Sequence, residues 1–119
     1  MSERKHRLYL ADILDAGRAI QSYVHGLDFD HFSNDRMRCA AVTREFEIIG
    51  EAVGKLPDDI KAPHPEVPWR EIKDFRNILA HEYFGIDLRI VWNAIHQELP
   101  LLLDATSTLI AADKASPVE

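Results

Sequence analysis

The sequence has one cysteine, Cys39, among its 119 residues. A single thiol cannot form an intrachain disulfide, so packing must hold the fold together, and such a chain fits a reducing compartment. Long apolar runs are also absent: Asp12 and Asp15 interrupt the first apolar segment, and no later one reaches membrane-spanning length. We therefore expect a cytoplasmic protein with neither a signal peptide nor a transmembrane helix.

Positive charge is scarce, with 14 basic against 20 acidic side chains and a formal net charge of −6. The acidic excess is the same, −3, on each side of residue 60, so no basic arm is indicated. This balance excludes a protein that coats duplex DNA with lysine and arginine. The hydrophobic fraction of 46% is that of an ordinary globular protein, and we expect a single domain over residues 1–119.

The alternation of apolar and polar residues that predicts strands is missing, and apolar residues instead recur at three- and four-residue intervals. The first such stripe predicts a helix from about residue 5 to 25, ended by Gly26. A polar connection over residues 28–35 follows, in which Ser33 or Asn34 is placed to cap a second helix. The apolar stripe of that second helix consists of Val42, Phe46, Ile49, Val53 and Leu56.

Four prolines between residues 57 and 68 exclude a continuing helix there. Pro68 can begin a third helix, which would cover Trp69 to about Phe84 and stop at Gly85. Asp87 is a good cap for a fourth helix with the most regular apolar stripe in the chain, and Pro100 should kink or split it. We predict an all-α fold, an antiparallel bundle of four to five helices.

The third helix carries the most informative polar residues. Asn77 and His81 are adjacent at i,i+4, but Arg76 and His81 point about 140° apart on a regular helix. Either the arginine reaches around, the helix loosens before Gly85, or a second copy of the helix completes the site across a twofold axis. We favour the last arrangement. Arg70 and Lys73 point in adjoining directions, so a local basic groove on an acidic body is expected, with weak, salt-sensitive RNA binding.

An arginine and a histidine together meet the minimum for RNA cleavage without a metal. The guanidinium of Arg76 can stabilise charge that builds on a phosphate, and the imidazole of His81 can move protons near neutral pH. Asn77 can orient the imidazole or a phosphate oxygen. Residue chemistry alone favours a solvated helix surface over a site.

The motif changes that balance, because Arg76-Asn77-x3-His81 resembles the signature of the HEPN superfamily. Its extension Arg-x4-His-x-Tyr, which ends at Tyr83, resembles that of the HepT-like toxin family. Three flanking segments agree with this resemblance: residues 48–53, 67–72 and 81–88.

The resemblance implies a homodimer with the motif in a cleft at the dimer interface, and a metal-independent, cofactor-free endoribonuclease that is toxic to its own cell. Arg76 and His81 would be catalytic and Asn77 supporting. The usual partner is a minimal nucleotidyltransferase antitoxin, which in some members transfers AMP to the motif tyrosine, here Tyr83. The alternative is a non-catalytic subunit that binds a nucleotide or docks the nucleotidyltransferase.

Other candidate residues have simpler explanations. His25 and His31 flank a connection rich in aspartate, where a solvated loop is favoured over a metal site. His64 and His96 are expected to be structural or surface residues, and Cys39 a buried small apolar group.

Two further pairs stay open at this point. Glu47 and Glu51 could reach the site and position Arg76, or could form surface ion pairs. Trp69 and Trp92 occupy positions suited to core or dimer packing, with base stacking as the lesser alternative.

Overall fold

A computed structural model describes residues 3–81 and 87–115. Helices are the regular elements in these two ranges, and no strand occurs in them. The segments are α1 (Glu3–Val24), α2 (Phe29–Ser33), α3 (Arg36–Lys55), α4 (Asp58–Lys61), α5 (Trp69–His81), α6 (Leu88–His96) and α7 (Glu98–Ala115). Because α2 and α4 are only one turn long, five longer helices form the structure. The all-α prediction of four to five main helices is therefore confirmed.

Helix α1 packs against α3 and α7 through the stripe that its sequence predicts. Leu10, Ile13, Ile20 and Val24 are buried, and Ile13 and Ile20 are completely inaccessible to solvent. Gly26 follows the helix with a φ of 76°, a left-handed conformation that glycine adopts without strain. The predicted end of the first helix is thus confirmed.

The core lies where α3 meets its neighbours. All five residues of the predicted α3 stripe are buried: Val42, Phe46, Ile49, Val53 and Leu56. Helices α6 and α7 add Val91, Ile95, Leu99 and Leu102, whereas α5 contributes Leu79. Burying a side chain of this size contributes about 1.5–3 kcal/mol, so the periodic stripes supply the main force that assembles the bundle.

The connection predicted over residues 28–35 contains a helix that the polar composition concealed. Asp28 caps α2 by accepting a hydrogen bond from the backbone N–H of His31 at 2.8 Å. Phe32 is completely buried and packs on the ring of Trp92, with centroids 5.3 Å apart. One apolar side chain thus anchors an otherwise polar segment to α6.

The cap of α3 is Asp35, so the prediction of Ser33 or Asn34 is wrong. Asp35 accepts a hydrogen bond from the backbone N–H of Arg38 at 3.0 Å and pairs with the guanidinium of the same residue. The side chains of Ser33 and Asn34 instead donate to the carbonyl oxygen of Asp30. They close the end of α2, which the sequence did not reveal, and are unavailable to begin α3.

The proline-rich connection is held to the bundle by Val67, which is 3% exposed. A single turn, α4, lies within it. The indole Nε1 of Trp69 donates to the carbonyl oxygen of His64 at 3.0 Å, and the carbonyl of Pro68 accepts the first hydrogen bond of α5. Helix α5 therefore starts where predicted. Its described part ends at His81, and the predicted continuation to Phe84 lies outside the described residues.

The fourth predicted helix is split in two, and the break lies at Gln97 rather than at Pro100. A proline cannot donate to the carbonyl four residues earlier, and its ring clashes with that carbonyl, here that of His96. The chain therefore turns before the proline. Pro100 then occupies the first turn of α7, where a missing N–H leaves no hydrogen bond unmade.

Candidate functional site

Helix α5 separates polar from apolar residues as its spacing predicts. Six polar side chains of this helix are exposed: Arg70, Glu71, Lys73, Asp74, Arg76 and Asn77. Leu79 is 2% exposed, and the half-buried Ile72 and Phe75 pack against the core. The apolar side thus fixes how α5 is rotated, and this rotation turns the predicted catalytic arginine outward.

Arg76 lies directly over Gly50 of α3. A Cβ atom at position 50 would be 2.7 Å from the Cβ of Arg76 and 3.6 Å from its Cδ. Real Cβ atoms do not approach a carbon so closely, so only glycine permits this contact. The base of the arginine side chain is therefore held by the backbone of α3, while its guanidinium remains exposed.

Lys73 repeats this arrangement one turn earlier on α5. Its Cγ, Cδ and Cε lie 3.4–3.6 Å from where a Cβ of Gly54 would be, so the lysine stem runs along the backbone of α3. Gly50 and Gly54 are themselves one turn apart. We call these two contacts the glycine seats: each glycine of α3 seats the stem of one cation of α5.

The guanidinium of Arg76 has no hydrogen bond or ion pair with any residue that the structure describes. Glu51 pairs instead with Lys55, with 3.5 Å between its Oε1 and the lysine Nζ. Glu47 is half-buried and forms no ion pair or side-chain hydrogen bond with the described residues. The suggestion that either glutamate positions Arg76 receives no support, and the surface-pair alternative is confirmed for Glu51. The charge of Arg76 is left available for an anion.

The other two residues of the motif, His81 and Tyr83, lie at and beyond the last described residue of α5. The backbone of His81 closes the described part of α5, but its side chain lies outside the described residues, as does Tyr83 altogether. The structure therefore does not test the relative placement of Arg76 and His81.

An apolar surface lies beside the motif helix. Ile78 is 48% and Ile90 is 55% exposed, and both border a cavity of 220 Å³. Phe75 and Phe46 meet edge to face in its wall, with centroids 5.3 Å apart. Large exposed aliphatic side chains next to an apolar cavity are typical of a surface that another protein covers.

Three further histidines make local side-chain contacts. His31 Nδ1 lies 2.7 Å from the carboxylate of Asp28, which raises the pKa of the imidazole. The Nδ1 of His64 is 3.3 Å from Glu66, and that of His96 is 2.8 Å from the carbonyl oxygen of Trp92. In the described ranges no three potential ligands lie close enough to hold a metal ion.

Cys39 donates its thiol to the carbonyl of Phe32, at 3.2 Å between sulfur and oxygen, and burial raises the pKa of the thiol. A raised pKa disfavours the reactive thiolate, in agreement with the predicted packing role. Trp69 and Trp92 pack against the core, as expected of structural residues.

Helical spacing in the sequence does not reveal two contributors to this region, Gly50 and Lys61. Gly50 appeared only within a flanking segment, although glycine in a helix interior costs about 1 kcal/mol relative to alanine and hence signals a close contact. Lys61 lies in the proline-rich connection, where no periodicity relates it to α5.

Comparison with known proteins agrees with the family that the motif resembles. A family model described as "Ribonuclease HepT-like" matches residues 13–109. A protein named "Probable ribonuclease HepT" from Thermococcus cleftensis is 41% identical over 100 residues, which cover 84% of this chain and 91% of the relative. No solved structure gives a significant match.

Two further relatives are each named "Putative RNase". The one from Caldanaerobacter subterraneus is 39% identical over 108 residues, or 91% of this chain and 96% of its own. The one from Methanocaldococcus jannaschii is 38% identical over 100 residues, or 84% of this chain and 92% of its own.

Within residues 3–81 and 87–115, every helix is too short or too polar to span a lipid bilayer.

Proposed function

The chain belongs to the family of HepT-like ribonucleases, and from this we propose that it is the toxin of a toxin–antitoxin pair, a cytoplasmic endoribonuclease that cuts RNA without a metal ion. The observation that carries the proposal is the exposed guanidinium of Arg76, unpaired among the described residues and seated on Gly50. A preorganised cation of this kind is suited to a phosphate in which negative charge develops during the reaction.

In the proposed reaction, His81 takes the proton from a ribose 2′-hydroxyl, and the 2′-oxygen forms a bond to phosphorus. The bond between phosphorus and the 5′-oxygen breaks, and that oxygen leaves with a proton supplied by a second acid. Arg76 stabilises the charge on the equatorial oxygens, and Asn77 orients the imidazole or one of these oxygens. These steps require no metal and no cofactor.

A second copy of the chain supplies the missing acid in this proposal. Because Arg76 and His81 point about 140° apart on one regular helix, two α5 helices across a twofold axis present both residues to one cleft. The exposed side chains of Ile78 on α5 and Ile90 on α6 are suited to being covered in such a homodimer.

Tyr83 is the proposed point of control. It lies seven residues from Arg76, about two helical turns, and points nearly the same way on a regular helix. AMP attached to its hydroxyl by a nucleotidyltransferase antitoxin would put a phosphate beside Arg76 and block the RNA site. Incubation with that partner and ATP should raise the intact mass by AMP units for the wild type but not for Tyr83→Phe.

The decisive experiment compares Arg76→Ala and His81→Ala with the matched control Arg18→Ala, which removes an exposed arginine of α1. Purified wild type and control should cleave cellular RNA and slow growth when expressed, and both motif variants should lose at least about 100-fold in cleavage rate. Equal RNA integrity for wild type and motif variants, with binding to the nucleotidyltransferase retained, would instead identify a non-catalytic docking subunit.

A further inference from the structure

A second basic region lies at the start of α5, away from the motif. An open cavity of 710 Å³ is bordered by α4, the proline-rich connection and the first turns of α5. Its ionisable lining residues are three cations and two carboxylates: Lys61, Arg70, Lys73, Asp58 and Glu71. The sequence places these cations on two separate elements, and the fold brings them to one cavity.

The three cations of this cavity have no directly bonded anionic partner among the described residues. Within the described part of the chain, Lys61, Arg70 and Lys73 form no ion pair and no side-chain hydrogen bond. Burial lowers the pKa of the half-buried Lys61, the positive charge of Lys73 lowers it further, and Asp58 acts in the opposite direction. The two lysines thus repel each other, and an anion bound close to both would offset this repulsion.

Lys73 connects the cavity to the proposed catalytic arginine. The glycine seats hold the stems of Lys73 and Arg76 against α3, one turn apart on α5, which is about 5 Å along the helix axis. Seated stems restrict the directions in which the two charges can point. Lys73 also lines the cavity, so basic residues extend from Arg76 into it. A nucleic-acid strand can place neighbouring phosphates at two such charges.

We propose that the cavity formed by Lys61, Arg70 and Lys73 is a phosphate subsite that binds an RNA backbone phosphate beside the one that is cut. This inference rests on the proposed ribonuclease function. The subsite would provide a short row of basic residues on an acidic protein in place of a broad basic surface. The RNA next to the cut phosphate would then lie along the N-terminal half of α5.

The test measures binding of a single-stranded 2′-O-methyl RNA octanucleotide, which cannot be cut by 2′-hydroxyl attack. The double variant Lys61→Gln/Lys73→Gln should bind about tenfold more weakly than wild type at low salt, and the slope of log affinity against log salt should fall by about 0.7 for each lysine removed. The variant Lys61→Arg/Lys73→Arg keeps both charges and should bind within about twofold of wild type.

The control Arg18→Gln/Arg36→Gln removes two exposed cations that do not line the cavity, and circular dichroism verifies that every variant is folded. Equal loss in the control and the lysine variant would overturn the subsite, because bulk charge would then explain the effect. It would also be overturned if the lysine substitutions weaken binding of free AMP but not of the octanucleotide.

Cleavage of unmodified RNA by the wild type is measured alongside. Absence of cleavage contradicts the proposed ribonuclease, whereas the binding result decides the subsite on its own. The two proposals can therefore fail separately.

Discussion

Among the described residues, two contacts between helices depend on a glycine, and they differ in what the glycine faces. Gly17 of α1 meets the terminal methyl groups of Leu103 on α7, with the Leu103 Cγ 3.1 Å from where a Cβ would be. Gly50 of α3 meets the Cβ of Arg76 on α5 at 2.7 Å. The first neighbour is the end of a buried apolar side chain, and the second is an atom bonded directly to the backbone.

This difference separates a contact that stabilises the fold from one that positions a charge. The end of a leucine side chain can change rotamer to accommodate an added methyl group, at a cost in packing. A Cβ atom moves only if its helix moves. The α1–α7 contact is therefore adjustable and buried, whereas the α3–α5 contact is rigid at its base and exposed at its tip, as a site requires.

Gly50→Ala should break the second contact and give the largest effect. The added methyl group forces α5 away from α3 at Arg76, and a displacement of about 1 Å in a reacting group can lower a rate by about 100-fold. We expect a loss of that size in the RNA cleavage rate, measured with a fluorogenic oligonucleotide.

Gly54→Ala is the matched control for Gly50→Ala, one turn along the same helix. A Cβ there would touch the Lys73 stem only at ordinary van der Waals distance, and alanine is the better helix former by about 1 kcal/mol. The free energy of unfolding should rise or stay unchanged, with cleavage within a few-fold of wild type. Full activity in Gly50→Ala would show that α5 tolerates displacement and that the close contact serves packing alone.

Gly17→Ala should produce the reverse pattern at the first contact. Overpacking against Leu103 costs about 1–3 kcal/mol, and helix propensity returns roughly 1 kcal/mol, so we expect a loss of at most about 2 kcal/mol in the free energy of unfolding. Urea denaturation measures it. The cleavage rate per folded molecule should not change, and a drop comparable with that of Gly50→Ala would remove the distinction between the two contacts.

Asp28→Asn removes a surface ion pair that belongs to neither contact. Of these substitutions, it should change stability and cleavage the least. Hydrogen bonding to Asp28 raises the pKa of His31, and hydrogen bonds from His31 lower the pKa of Asp28. The ion pair therefore exists between the lowered pKa of the aspartate and the raised pKa of the histidine.

The contribution of the raised histidine pKa to stability is present in full below the ordinary value of about 6.5 and is lost as the pH rises through the raised value. Asparagine keeps the cap of α2 but removes the charge, so an NMR titration should show the pKa of His31 falling toward its ordinary value. An unchanged titration would mean that Asp28 does not set the pKa of His31.

The sequence predicts well those parts of the fold that repeat at helical spacing. The stripes of α1 and α3 are buried as expected because burial acts on each apolar residue wherever the period places it. It predicts poorly where one residue decides the structure. Phe32 alone turns a polar connection into α2, and this short helix takes the side chains of Ser33 and Asn34 and shifts the cap of α3 to Asp35.

The site divides in the same way. Helical spacing accounts for the exposure of Asn77 and the burial of Leu79, because both follow from the rotation of a single helix. It does not predict that Gly50 lies under Arg76, or that Lys61 shares a cavity with Lys73, since each pair is joined only by the packing of separate elements. His81 and Tyr83 keep the roles that the motif predicts for them, and these roles await the experiments above.

The shielded thiol of Cys39 makes this protein convenient for spectroscopy. Because it is the only cysteine in the sequence and burial disfavours its reactive thiolate, the variant Asp74→Cys, at an exposed position of α5, would label much faster than the native residue. A spin label attached there would report the distance between two copies of α5 in solution without any need to replace the native residue. The same label would follow that distance as RNA or the partner is added.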